Sequence, residues 1–327
     1  MRALRGIFGL TLALLTLAGC GLLGGESSSS SPQSQGSGQS TKIKIAVLPT
    51  MDVVPLYLAI NSGYFKQENL EVEPIIAASG ADCVAKLVSG EVQVAFSSWT
   101  PFFVAKAKNA ADIKLVADAT AAAPGYAVVA VAQNSPIASI KDLAGKRVAI
   151  TARFTISHLL VQAQLKAAGM DPNGVQYVEM AFPQMSQALT AGQIDAAFLV
   201  EPFLRQAVKQ INARPLFDTL TGPTAGLPLT GYGSTASYVN GNRSAIEGFQ
   251  RALKKATDDA GRDRSKVEPV LQQVGKVDAD IAHSTALVEF VSGLDPAKIQ
   301  RVLDLMVEFK ALDKGFAVSD MTVRPAG

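Results

Sequence analysis

The chain has 327 residues, 48% of them hydrophobic and 18% charged, with a formal net charge of +2. That length suits about two domains with real cores, and so low a charge argues against a disordered body. A charge balance this close to zero, with no basic stripe interleaved with aromatics, gives no support for nucleic acid as a partner.

Arg2 and Arg5 make the start positive, and residues 6–15 are apolar except for Thr11. Such a run has the length of a signal-peptide core and is too short to span a bilayer. Leu17-Ala18-Gly19-Cys20 then resembles the bacterial lipobox. The resemblance implies a signal peptide over residues 1–19, a diacylated Cys20 as mature N-terminus, and anchorage at a membrane outside the cytoplasm. The plainer alternative is a cleaved signal followed by a chance cysteine. Residues 26–39, ESSSSSPQSQGSGQ, bury nothing, so residues 20–41 are expected to form a lipidated, disordered tether. Two or three acyl chains anchor stably where one does not. Cys83 is the other cysteine, expected as a small, half-buried hydrophobe on a helix; with Cys20 lipidated no intrachain disulfide remains.

In the body, residues 42–48 alternate as a strand and residues 53–60 carry apolar groups at helical spacing. Asp52 is expected as N-cap and Gly63 as the stop. Residues 70–76 form a second strand, 81–88 a helix, 92–96 a third strand, 102–110 a helix begun near Pro101, and 113–117 a fourth strand. Strands alternating with helices predict a parallel sheet covered on both faces, with a ligand crevice at the carboxyl ends of its strands.

Residues 119–125 read as a linker and 126–132 as a strand, after which the rhythm restarts. Strands are expected at 148–150, 175–180 and 194–200, with helices at 156–168 and 185–191. Residues 231–239, GYGSTASYV, read as a returning strand. Helices are expected at 245–261, 266–274, 278–288 and 296–312, packed on the first lobe. The result is an α/β molecule of two lobes, residues 42–128 with 232–327 and residues 129–231, joined by two crossing strands that make a hinge.

Several segments resemble the nitrate/sulfonate/taurine class of ABC-transporter substrate-binding proteins, a class that the thiamine-pyrimidine synthases also resemble. They are KIAVLP at 44–49, PLYLA at 55–59, GYFKQENL at 63–70, GEVQVA at 90–95, IKDLAGKRVA at 140–149 and AGQIDAA at 191–197. FPQM at 182–185 and Glu201-Pro202-Phe203 extend the likeness, which covers about residues 42–312. It implies a type II periplasmic-binding-protein fold and a monomer without cofactor that passes a small solute to permease and ATPase subunits. The ligand class implied is anionic or zwitterionic: sulfonate, taurine or nitrate. An enzyme of the thiamine-precursor class is the alternative, but its Cys-rich iron motif and histidine cluster are missing here. His158 and His283 stand far apart with no partner at metal-ligand spacing, so no metal site is expected.

Five exit loops converge if the two sheets face each other: Thr50, Met51 and Asp52; Ser79, Gly80 and Asp82; Ser97, Ser98, Trp99 and Thr100; Arg153, Thr155 and Ser157; and Glu201. The hydroxyls can serve a ligand's oxygens or merely cap helices. Trp99, the single tryptophan, is expected on the cleft wall because its neighbours are polar. Arg153 suits a bidentate bond to a sulfonate or carboxylate, or a solvated rim. Glu201 suits a ligand ammonium or a helix cap. His158 is expected to be partly buried.

Overall fold

The computed structural model describes residues 40–323; the signal-like segment, Cys20 and all but the last two tether residues lie outside the described residues. Eleven described strands fall into two mixed sheets.

The first sheet begins with β1 (Thr41–Val47), followed by a 3-10 turn at Met51–Val53, α1 (Val54–Asn61), α2 (Tyr64–Gln67) and β2 (Leu70–Ile76). Then come α3 (Gly80–Val88), β3 (Val94–Ser98), α4 (Trp99–Ala107) and β4 (Ile113–Ala121). Asp52 lies inside the turn and is not the N-cap expected of it; Pro55 in the first turn of α1 starts that helix instead. Ser79 caps α3 by accepting from the Asp82 amide at 3.1 Å, and the Asp82 carboxylate turns back to the Ala78 amide at 3.0 Å.

The chain enters the second sheet at β5 (Ala127–Val131) and continues through β6 (Arg147–Ile150), α5 (Ile156–Ala167) and β7 (Gln176–Glu179). It goes on with α6 (Phe182–Thr190), β8 (Ala196–Val200), α7 (Phe203–Ile211) and β9 (Arg214–Asp218). It returns to the first sheet as β10 (Pro228–Thr235) and ends in α8 (Ala236–Gly241), α9 (Arg243–Arg262) and α10 (Arg264–Gly275). Last are α11 (Ala279–Ser284), β11 (Glu289–Phe290) and α12 (Pro296–Glu308).

The strand orders are β11-β4-β10-β3-β1-β2 and β7-β6-β8-β5-β9. β1, β2 and β3 pair in parallel, and β10 runs antiparallel between β3 and β4. The second sheet repeats this device, with β5 antiparallel between β8 and β9. Each lobe therefore holds one strand delivered by a crossing. The two crossings touch: the Ala122 amide donates to the Leu227 carbonyl at 2.8 Å.

β10 occupies the middle of its sheet, and its glycines are explained by close neighbours. A Cβ at Gly231 would lie 2.0 Å from the Trp99 ring, and one at Gly233 would lie 2.5 Å from Phe102. Two α4 aromatics thus press onto a strand left bare for them. The expected strand over 231–239 stops at Thr235, whose hydroxyl accepts from the Tyr238 amide at 3.3 Å and opens α8. The terminal helices cover the first lobe, with Phe249 of α9 stacked on Phe65 at 5.4 Å. They also reach the second lobe, where Lys209 of α7 pairs with Asp278 at 2.9 Å. Cys83 is fully buried, deeper than expected, and burial pushes its thiol well above the usual range.

Candidate functional site

A cavity of ≈ 50 Å³ lies between the lobes. The loops after β1 and β6, the ends of β3 and β8, the first turns of α3, α5 and α6 and the starts of β5 and β10 form its wall. A water needs roughly 10–15 Å³ on this measure, so about three to five water-sized groups fit. The position is the one a parallel sheet dictates, because side chains and helix starts converge at the carboxyl ends of its strands.

One end of the cavity is built around Asp52, whose side chain is buried. Its Oδ1 accepts from Thr120 Oγ1 at 2.7 Å and Thr230 Oγ1 at 3.1 Å, and its Oδ2 accepts from the Tyr126 hydroxyl. The two threonine oxygens also lie 2.6 Å apart, so their two protons satisfy two of these three contacts at a time. Burial and the adjacent carboxylate raise the Tyr126 phenol well above its ordinary range, so it keeps its proton and donates. Thr120 is next to last in β4, Tyr126 directly precedes β5 and Thr230 lies near the start of β10, so one carboxylate ties both straps of the hinge to the turn after β1. Thr50 Oγ1 is buried on the same wall, beside the Tyr126 hydroxyl.

The opposite end belongs to the second lobe. Thr151, Thr155 and Ser157 share hydroxyl contacts of 2.8–3.2 Å, and Thr155 Oγ1 donates to the Ala152 carbonyl at 2.8 Å. The lobes meet here: the Ile156 amide donates to Ser98 Oγ at 3.3 Å. Phe96, Leu160, Phe182 and Phe198 line the space between.

Of the residues expected at the site, Thr50, Asp52, Gly80, Ser98, Thr155 and Ser157 line the cavity. Gly80 has no room for a side chain, since a Cβ would lie 2.5 Å from Ser97 Oγ. Met51 is buried elsewhere, its sulfur accepting from the Val288 amide at 3.4 Å. Ser79 and Asp82 serve the start of α3, and Ser97 lies buried behind Gly80. Thr100 reaches the site indirectly through a 3.2 Å bond to Ser98.

The cleft-wall expectation for Trp99 is corrected, and Arg153 and Glu201 take the second of their two alternatives, solvated rim and helix cap. Trp99 is fully buried and borders β10, not the cavity, because β3 runs directly into α4 and leaves no loop to turn the indole outward. Arg153 faces away, 3.6 Å from Glu179 and over the Tyr177 ring, with half its side chain in solvent. Glu201 is fully buried and does not line the cavity. Tyr126, Thr151 and Thr230 were missed. Tyr126 and Thr230 sit at the ends of crossing strands, where sequence pattern carries no sign of a site.

Glu201 joins the lobes from outside the cavity. Its Oε1 accepts from the Ala286 amide at 3.3 Å and Oε2 from the Arg205 amide at 3.2 Å, while Arg205 Nε stands 3.3 Å away. Burial outweighs these partners and pushes the carboxyl from 4.5 up to about 7. A folded-state value above the unfolded one means stability present in acid and lost as pH rises through about 7. Wild type should therefore lose roughly 3 kcal/mol relative to Glu201→Gln between about pH 5 and about pH 8. Paired melting curves at the two pH values check this; a constant difference between the proteins contradicts it. His158, expected partly buried, is almost wholly so, and burial then Arg153 lowers its imidazole to about 4.

With two α/β lobes, paired crossings and an interlobe cavity, the fold is that of the type II periplasmic binding proteins. It is shared with the alkanesulfonate-binding protein SsuA from Xanthomonas axonopodis pv. citri bound to MOPS, at a TM-score of 0.74 and 20% identity over 87% of this chain and 98% of that one. The NMT1/THI5-like family description matches residues 50–265, and the chain belongs to that family. A putative ABC transporter periplasmic binding protein of Brachyspira hyodysenteriae is 33% identical over 183 residues, 52% of this chain and 51% of that protein. The 4-amino-5-hydroxymethyl-2-methylpyrimidine phosphate synthase of Aspergillus parasiticus is 25% identical over 217 residues, 62% of this chain and 61% of that one. The chain thus spans about half to three-fifths of the length of these two curated relatives.

Proposed function

We propose that the protein is an extracytoplasmic solute-binding receptor of an ABC importer. It takes a small polar solute of the sulfonate, taurine or nitrate type between its lobes and closes over it by rotation at the two crossings. The observation that carries this reading is the interlobe cavity, polar at both ends, whose walls come from both sheets and whose carboxylate ties both hinge straps. The periplasmic binding relatives favour the same class. The lipobox-like sequence at Cys20 supports a membrane anchor, and no helix among the described residues is long and apolar enough to cross a membrane.

The Aspergillus relative favours a second reading, a pyrimidine-related binding protein or enzyme of the thiamine-precursor class. Incubating purified protein with candidate solutes and weighing them afterwards separates the readings. A receptor returns its solute unchanged; a solute of altered mass establishes catalysis.

A further inference from the structure

We propose that the solute presents an N–H donor, cationic or aromatic-amine, to Asp52, and that anions lacking an N–H are rejected. The inference rests on the receptor reading and narrows its ligand class to taurine-like and aminopyrimidine-like solutes, setting aside nitrate and bare sulfonates.

Asp52 is the one charged side chain on the cavity wall, and among the described residues no lysine, arginine or histidine lines it. Arg153, the basic group of these loops, is committed to Glu179 and Tyr177. A carboxylate accepts hydrogen bonds at about four positions, and the Tyr126, Thr120 and Thr230 hydroxyls supply at most three of them here. The remaining position on Oδ2 is the one a ligand can complete. The buried Thr50 hydroxyl, on the same wall beside Tyr126, adds a second polar group that can donate or accept.

Nitrate or a simple sulfonate would bring negative charge next to this carboxylate, in a buried space with no cation to offset it. An amine, amidine or aminopyrimidine N–H meets it as a charge-assisted donor. The far wall is less selective. The Thr151, Thr155 and Ser157 hydroxyls can donate or accept, so a sulfonate oxygen or a ring nitrogen is equally served there. The aromatic and aliphatic middle accommodates the carbon body joining the two ends.

Calorimetric titration of the whole protein with nitrate, methanesulfonate, taurine and 4-aminopyrimidine tests the assignment, together with Asp52→Asn, which keeps the shape and removes the charge. At least one of the two donor-bearing probes should bind about 100-fold more tightly than either bare anion. In Asp52→Asn that probe should lose at least about tenfold. Selectivity is read on wild type, so a variant that fails to fold leaves the test intact. Nitrate or methanesulfonate binding as tightly as the donors overturns the inference. So does a folded Asp52→Asn protein with unchanged donor affinity, or a wild type that binds none of the four. The receptor reading falls separately, if protein purified from its own cells carries no small molecule by native mass spectrometry.

Discussion

Replacing Trp99 with alanine should lower unfolding stability by about 3–5 kcal/mol, the range for a large buried aromatic whose site cannot collapse. The indole is fully buried, and Gly231 leaves a recess that nothing else fills once the ring is gone. Its Nε1 has no hydrogen-bond partner, so losing that group returns part of the cost and places the result toward the lower end. Solute affinity of the folded variant should stay within about twofold, as for independent sites. Denaturant melts give the first number and titration the second. A selective loss of affinity with little loss of stability would restore Trp99 to the cleft wall.

Asp52→Ala should cost about 2–4 kcal/mol and weaken binding as well, a pairing that Trp99→Ala should not show. Three hydroxyls lose a charged acceptor at once. Thr120 and Thr230 still have each other at 2.6 Å, which softens the loss, whereas Tyr126 is left facing an empty space with a buried phenol. Tyr126→Phe provides the control: it removes one of the three bonds and keeps the carboxylate, so about 1.5–3 kcal/mol is expected. Equal melting of Asp52→Ala and wild type would mean that the carboxylate holds nothing together.

Much of the fold was legible because strands and helices alternate with their own periods and glycines mark the helix ends. The missed strands are the weakly patterned ones. β9 carries Pro215 within its five residues, and β11 is two residues long; both gain their state from neighbours far away in the chain. The site was half legible for a similar reason. Thr50, Asp52, Ser98, Thr155 and Ser157 lie just after strands, where topology puts ligands. Tyr126 and Thr230 reach the cavity only because two crossings bring them there.

Trp99 shows where local context misleads. Its polar neighbours pointed to a cleft, yet the decisive signal sat 132 positions away, in the alternate glycines of GYGS at 231–234. Glycines in a central strand mark the approach of something large, and here it is the Trp99 and Phe102 rings. Arg153 was set aside by Glu179 and Tyr177, partners on another strand, β7, that spacing could not have revealed.

The solute is expected between the lobes, with Asp52 at one end and the α5 hydroxyls at the other. A crystal structure of the protein holding the solute that it retains from its own cells tests this most directly. Density should bridge Asp52 and Thr155 in the interlobe cavity, with a donor atom within hydrogen-bond reach of Asp52 Oδ2. Density confined to another face of either lobe, with the interlobe space closed and empty, would contradict it.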